Sequence, residues 1–213
     1  MGDWRHETLA QLRTALPTGA VRPYGSVAGA GAGAGVVDAW SDLDVRVVAA
    51  EPLDVERVFG VPLWAWQESH TDIGQQLRLV TLDGRRVDLT IEGPAAVLPS
   101  PPADNDVRFD AALAAVRLGR ENLLIGLHLV MGIGREALVR SMERADLATG
   151  TVHHRLPTPY DARAAEVAAL TAGALEPTVA LRAYESYGRW RAEVEPGYRP
   201  DPAGLVAVLH RTA

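Results

Sequence analysis

Apolar and polar residues alternate along several stretches of the first half of the chain and recur at helical spacing through the second. Leu43, Val45 and Val47 alternate with Asp42, Asp44 and Arg46, which predicts a strand with one apolar and one polar face. Leu77 to Leu82 and Arg85 to Ile91 read as two further strands around Asp83-Gly84, a strong hairpin signal. In the second of these Val87, Leu89 and Ile91 share one face and leave Asp88 on the other. Before them, Trp4 to Leu16 carries Leu9, Leu12 and Leu16 at helical spacing, and Pro17-Thr18-Gly19 ends that helix. Ala20 to Tyr24 predicts a short strand leading into Gly25-Ser26, and Asp54 to Phe59 a short helix. Val27 to Gly35, dominated by Gly and Ala, offers little to pack and predicts a loop.

A proline-rich segment, Pro94 to Pro102, separates this β-containing half from a helical one. There Leu123, Leu124, Leu127, Val130, Met131 and Leu138 trace an apolar stripe at i, i+3, i+4 and i+7 spacing. Further helices are predicted over Asp161 to Leu175, over Thr178 to Glu193 and after Pro202. The expected fold class is α+β: a mixed sheet with flanking helices over 1–102, then a helical bundle over 103–213.

Composition narrows the chemistry. With 213 residues, 47% hydrophobic and 23% charged, the chain is long enough to bury a proper core. It has no cysteine, which excludes disulfides and thiolate metal sites. It also has no lysine, so any phosphate contact must come from arginine, hydroxyls or backbone N–H groups. The net charge of -6 disfavours a general nucleic-acid surface. No apolar run reaches the roughly 20 residues that span a bilayer. The N-terminal MGDWRHETLAQL lacks the pattern of a secretion signal, so a cytoplasmic protein with no membrane partner is expected.

The candidate site gathers on the polar strand faces. Asp42 and Asp44, two apart, are expected to project from one face as a pair of carboxylates, which repel unless a cation lies between them. Hard oxygen donors of this kind suit magnesium, which takes its remaining ligands from water and substrate phosphates. Asp88, on a neighbouring strand and also off the apolar face, would complete a three-carboxylate cluster of the sort that supports in-line attack at phosphorus. Gly25 at a strand end allows close approach of a triphosphate, and Ser26 adds a hydroxyl and an N–H.

The run from Tyr24 to Val48, YGSVAGAGAGAGVVDAWSDLDVRVV, resembles the signature of the polymerase-β-like nucleotidyltransferase superfamily: Gly-Ser, a spacer, Asp-x-Asp on a strand, and a third acidic residue on a later strand. The α/β half followed by helices is similar to the aminoglycoside and lincosamide nucleotidyltransferases, and Phe109 to Leu129 is similar, more distantly, to the helical domain of the aminoglycoside 6-adenylyltransferase branch. The resemblance implies that Gly25 and Ser26 bind the triphosphate of ATP or another nucleotide. It implies that Asp42 and Asp44 ligate magnesium, and that Asp88 is either a third ligand or the base that deprotonates the acceptor hydroxyl. The implied reaction transfers AMP to a hydroxyl of a small acceptor, an aminoglycoside or lincosamide among them. Alternatives within the same family are modification of a protein or RNA, as in toxin–antitoxin systems, and nucleotide binding without catalysis. A homodimer is compatible with the sequence. The spacer between Ser26 and Asp42 is longer than the family's usual one, the excess being Gly-Ala repeat.

Other residues have ordinary explanations to set against functional ones. Glu121, beside Arg120 at an expected helix start, reads as a helix-favouring acid and secondarily as an acceptor-site base. His128 falls on the apolar stripe and is expected to be a core histidine. Trp64 and Trp66 are expected to pack rather than to stack on a ligand. His153-His154 do not share a face, and Gly29-Ala30-Gly31 lacks the helix that a dinucleotide loop needs.

Overall fold

The computed structural model describes residues 3–27, 37–152 and 156–212. It divides into two compact units, residues 1–106 with 210–213, and residues 107–209. The fold is α+β. The five strands and seven helices below are those of the described residues.

In the first unit, helix α1 (Trp4–Ala15) starts where the Asp3 side chain accepts a hydrogen bond from the Arg5 amide, and it ends before Pro17. Strand β1 (Val21–Pro23) leads into a 3-10 turn at Gly25–Val27. Strand β2 (Leu43–Val48) follows, then the short helix α2 (Val55–Phe59), capped by Asp54 and closed by a left-handed Gly60. Strands β3 (Leu63–Thr71), β4 (Gly74–Thr81) and β5 (Arg86–Glu92) complete a mixed sheet in the order β1-β2-β5-β4-β3. Only the β2–β5 pair is parallel; β1–β2, β5–β4 and β4–β3 are antiparallel.

Alternation decides which face is buried. Leu43, Val45 and Val47 of β2, Leu77 and Leu79 of β4, and Val87, Leu89 and Ile91 of β5 form the apolar face. Leu9 and Leu12 of α1 and Val55 and Phe59 of α2 belong to the same core cluster. The polar faces of β2, β5, β4 and β3 line up on the other side as residue rows. Asp44 pairs with Asp88, Asp88 with Arg78 and Arg78 with Gln67. One step along, Arg46 pairs with Thr90, Thr90 with Gln76 and Gln76 with Ser69.

The β4–β5 hairpin turns at Asp83-Gly84 as its sequence indicates, with Gly84 at φ 83°. β3 is an element whose full extent, Leu63–Thr71, the strand spacing of Trp64 and Trp66 alone did not reveal. Its outer half is exposed, so it lacks a clear two-residue alternation, and a bulge between Leu63 and Ala65 shifts its register. Trp64 and Trp66 on it are buried.

The second unit is helical: most of α3 (Asn105–Gly119), then α4 (Leu123–Thr149), α5 (Arg163–Ala169), α6 (Thr178–Val194) and most of α7 (Ala203–Thr212). The helix expected over Asp161 to Leu175 is shorter, because a 3-10 turn at Pro159–Ala162 precedes it. The apolar stripe read along α4 matches its packing face only in part: Val130 is buried and Leu127 and Leu138 are half-buried. Gly126, Val130, Ile133, Gly134, Ala137, Ser141 and Ala145 are buried, while Leu123, Leu124 and Met131 are exposed. Small residues let neighbouring elements approach; a Cβ on Gly134 would lie 2.9 Å from Val167 Cγ1 of α5. His128 is accordingly exposed and not a core histidine. Glu121 does not open a helix. It links α3 to α4 in the left-handed region at φ 58°, and Asn122 takes the cap position.

Among the described residues, no helix is long and apolar enough to cross a membrane. The Gly-Ala loop from Val27 to Gly35, with its Gly29-Ala30-Gly31, lies outside them from residue 28 onward, as do His153 and His154.

Candidate active site

The site is built where the ends of β1 and β2 meet β5. Tyr24 closes β1 by donating its amide to the Asp44 carbonyl (3.0 Å). Gly25 follows with φ 63°, a conformation that a side chain strains. A Cβ on Gly25 would fall 2.2 Å from Asp44 Oδ2, so the glycine lies directly against the Asp44 carboxylate. Ser26 continues the 3-10 turn, half-buried, with no hydrogen-bond partner for its hydroxyl among the described residues.

Asp44 and Asp88 face each other in register across the parallel β2–β5 pair. Neighbouring strands are about 4.8 Å apart, so two like charges in one row must interact. Burial, then the charge of Asp42, and also that of Asp44, push the Asp88 carboxyl up to about 6, against the opposing pull of Arg78. The three carboxylates therefore share one electrostatic neighbourhood.

Asp42 lies one residue before the start of β2, and its carboxylate accepts a hydrogen bond from Arg86 at the start of β5 (Nε to Oδ1, 2.8 Å). The Arg86 guanidinium also donates to the Ser41 carbonyl at 3.3 Å. From the other side Arg5 of α1 donates to the carbonyls of Ser41 (2.6 Å) and Asp38 (2.9 Å). The Ser41 hydroxyl bonds the Asp38 side chain at 3.0 Å. Two buried arginines thus clamp the turn that delivers Asp42.

Arg78 of β4 sits on the far side of Asp88, Nε to Oδ2 3.6 Å, and reaches Gln67 Oε1 at 3.5 Å. Neither Arg78 nor Arg86 was singled out from the sequence, although both positions carry a signal. A hairpin centred on Asp83-Gly84 sets Arg78 opposite Asp88, and Arg86 precedes Asp88 by two residues on the same strand face. Arg5 carried no signal at all; an arginine in the first turn of a helix looks like an ordinary surface charge.

No protein-family model and no curated protein matches this chain. Its chemistry rests on the geometry of these residues.

Three carboxylates against two arginines leave an excess of negative oxygen donors, the donor type that magnesium takes. They are not drawn together as a cage: among the described residues, no three His, Asp or Glu side chains are grouped closely enough to hold a metal ion. The arginines account for this, since Asp42 is turned to Arg86 and Asp88 to Arg78. The set fits magnesium in chemical kind and requires a shift of those two ion pairs to fit it in geometry. Glu121 belongs to the second unit.

Proposed function

We propose that the protein is a magnesium-dependent nucleotidyltransferase of the polymerase-β-like type, which transfers AMP from ATP to a hydroxyl of a small acceptor and releases pyrophosphate. The observation that carries this reading is the contact of Gly25 with the Asp44 carboxylate, with Asp88 beside Asp44 in the next strand. A glycine turn set against paired carboxylates brings phosphate-binding N–H groups next to ligands for the cation that accompanies a triphosphate. Gly25 and Ser26 contribute those N–H groups and the Ser26 hydroxyl. Asp42, Asp44 and Asp88 are the residues that would hold magnesium, which when bound offsets charge on the phosphates and the leaving pyrophosphate.

Asp88 takes the proton of the acceptor hydroxyl as its oxygen bonds to the α-phosphorus. The bond from that phosphorus to the β-phosphate oxygen breaks, and pyrophosphate departs. Asp88 stands in register with Asp44, beside the other carboxylates, where the acceptor oxygen must approach the α-phosphorus. The net charge of -6 suits a cationic acceptor, and the family resemblance suggests an aminoglycoside or lincosamide.

One observation favours a second reading. The buried Arg86 engages Asp42 at 2.8 Å, and an arginine there competes with a metal for the same oxygen. A protein in which that pair never opens binds nucleotide without transferring it.

The experiment incubates the protein with ATP, magnesium and a panel of aminoglycosides and lincosamides, and follows the acceptors by mass spectrometry. The transferase reading expects one acceptor to gain the mass of AMP. Hydrolysis of ATP to ADP and phosphate with every acceptor unchanged contradicts it. Binding of magnesium-ATP without any product supports the second reading.

A further inference from the structure

Beside Asp88, on the side away from Gly25, the polar face of the sheet opens into a cleft of about 480 Å³. Its floor is Gln67 and Ser69 of β3 with Gln76 and Arg78 of β4, and Pro101 and Asp106 stand on its wall. Arg78 is both a floor residue and the in-register partner of Asp88. The cleft therefore begins one strand, about 5 Å, from the Asp88 backbone.

Its chemistry is specific in what it offers and in what it lacks. Gln67 and Gln76 each carry a carboxamide that both donates and accepts, and Ser69 adds a hydroxyl. Among the described residues, no side chain or backbone group bonds the Gln76 carboxamide or the Ser69 hydroxyl. Arg78 is the one cation of the lining, and it already faces Asp88 and Gln67. With Asp106 also lining the cleft and Arg78 engaged by Asp88, a triphosphate is disfavoured there. The wall is also held in place. Asn105 accepts from the Trp66 amide at 3.0 Å and donates to the Trp66 carbonyl at 2.8 Å, which ties the start of α3 to β3.

We infer that this cleft is the acceptor subsite, and that the acceptor is a polyhydroxylated, sugar-like molecule whose hydroxyls exchange donors and acceptors with Gln67, Ser69 and Gln76. Adjacent hydroxyls on a ring, each a donor and an acceptor, match carboxamides that are the same. The inference rests on the transferase reading and assigns it an order across the sheet: nucleotide at Gly25 and Asp44, Asp88 between, acceptor over Arg78 and Gln76. In that order one hydroxyl of the acceptor comes within reach of Asp88 while the rest of the molecule lies over β4 and β3. Gln76 and Ser69 position the acceptor and take no part in proton transfer.

The test measures binding and needs no turnover. Kanamycin, an amino-sugar compound, and trehalose, a neutral sugar, are titrated into the full chain by saturation-transfer NMR, and magnesium-ATP binding is measured by calorimetry on the same samples. Ser69 is exposed, so Ser69→Trp fills the cleft from a surface position without burying a new group in the core. Gln76→Leu keeps the volume and removes both hydrogen-bonding groups. The expected result is binding of at least one probe by the wild type, loss of it in Ser69→Trp, and weakening of about 5- to 10-fold in Gln76→Leu. Magnesium-ATP affinity should stay within about two-fold in both variants. Absence of binding by either probe to the folded wild type overturns the sugar-like assignment. Unchanged probe binding in Ser69→Trp places the acceptor elsewhere, and a parallel loss of magnesium-ATP places the nucleotide in the cleft; either overturns the inference. Probe binding by a wild type that does not bind magnesium-ATP keeps the cleft and discards the transferase reading.

Discussion

Gly25 lies against the Asp44 carboxylate so closely that a side chain at position 25 must displace it: a Cβ there would lie 2.2 Å from Asp44 Oδ2 and 3.0 Å from its Cγ. The glycine is also at φ 63°, so two independent constraints select it. Gly25→Ala is expected to lose about 1–3 kcal/mol of stability from the backbone conformation alone. Because the methyl group must also push the Asp44 carboxylate aside, magnesium-ATP binding should fall further than the stability change accounts for. Chemical denaturation and calorimetric titration of the same variant check both halves.

The raised pKa of Asp88 gives a stability signature with a definite sign. Its carboxyl holds its proton more tightly in the folded chain, about 6, than at its ordinary value of 3.8, so the fold is penalised once Asp88 ionises. The penalty is absent below the ordinary value, grows as pH rises towards 6 and is complete above it. Taken in full, the shift is worth about 3 kcal/mol. With the Asp88 side chain 32% exposed, solvent screening leaves about 1–2 kcal/mol. Asp88→Asn is therefore expected to be more stable than wild type by about that amount at neutral pH in a chelating buffer, and no more stable near pH 4. Denaturant titrations across that range test it. Added magnesium should narrow the gap at neutral pH by stabilising only the wild type.

Arg5 serves the site without touching a reactant. It bonds the carbonyls of Ser41 and Asp38, and Arg5→Met removes both of these bonds, leaving Ser41 the longer one from Arg86. A stability loss of about 2–4 kcal/mol is expected, since each hydrogen bond to a charged group is worth about 1.5–3 kcal/mol. The turn that holds Asp42 should loosen at the same time. The concentration of magnesium required for half-maximal activity is then expected to rise, measured under conditions where the variant remains folded.

Much of the first unit can be read from alternation and turn chemistry. Leu43, Val45 and Val47 are apolar, alternate with polar residues, and are all wholly buried. Asp83-Gly84 marks the β4–β5 hairpin because only glycine adopts its turn geometry without strain. Asp88 on a neighbouring strand and a polar face is expected from the sequence, but its register with Asp44 is not, since nothing local states that β2 pairs in parallel with a strand some forty residues later. Nor is the ion pair of Asp42 with Arg86, a residue distant in sequence whose reach is set only by the folded sheet. On α4 the hydrophobic stripe held at Val130 and misled at Leu123, Leu124 and Met131, because large apolar residues suggested the buried side while close packing also used glycine and alanine.

That reversal on α4 makes its own prediction. Leu124 is 87% exposed, so Leu124→Ser should change stability by no more than about 0.5 kcal/mol. Gly134→Leu, by contrast, forces bulk into a space already bounded by Val167, and a loss of about 1–3 kcal/mol is expected. Thermal denaturation of the two variants side by side reads the difference; equal losses would mean that the large apolar residues carry the packing after all.

The most direct test of the central claim is pyrophosphate release from ATP, measured with and without magnesium in the presence of the acceptor panel, for the wild type and for Asp44→Ala. Asp44 is the residue that Gly25 contacts and Asp88 faces, so every role assigned to the site passes through it. The account predicts release that requires magnesium and an acceptor and that disappears in Asp44→Ala. Release that is unchanged in Asp44→Ala, or a wild type that binds no magnesium-ATP and releases no pyrophosphate, would contradict it.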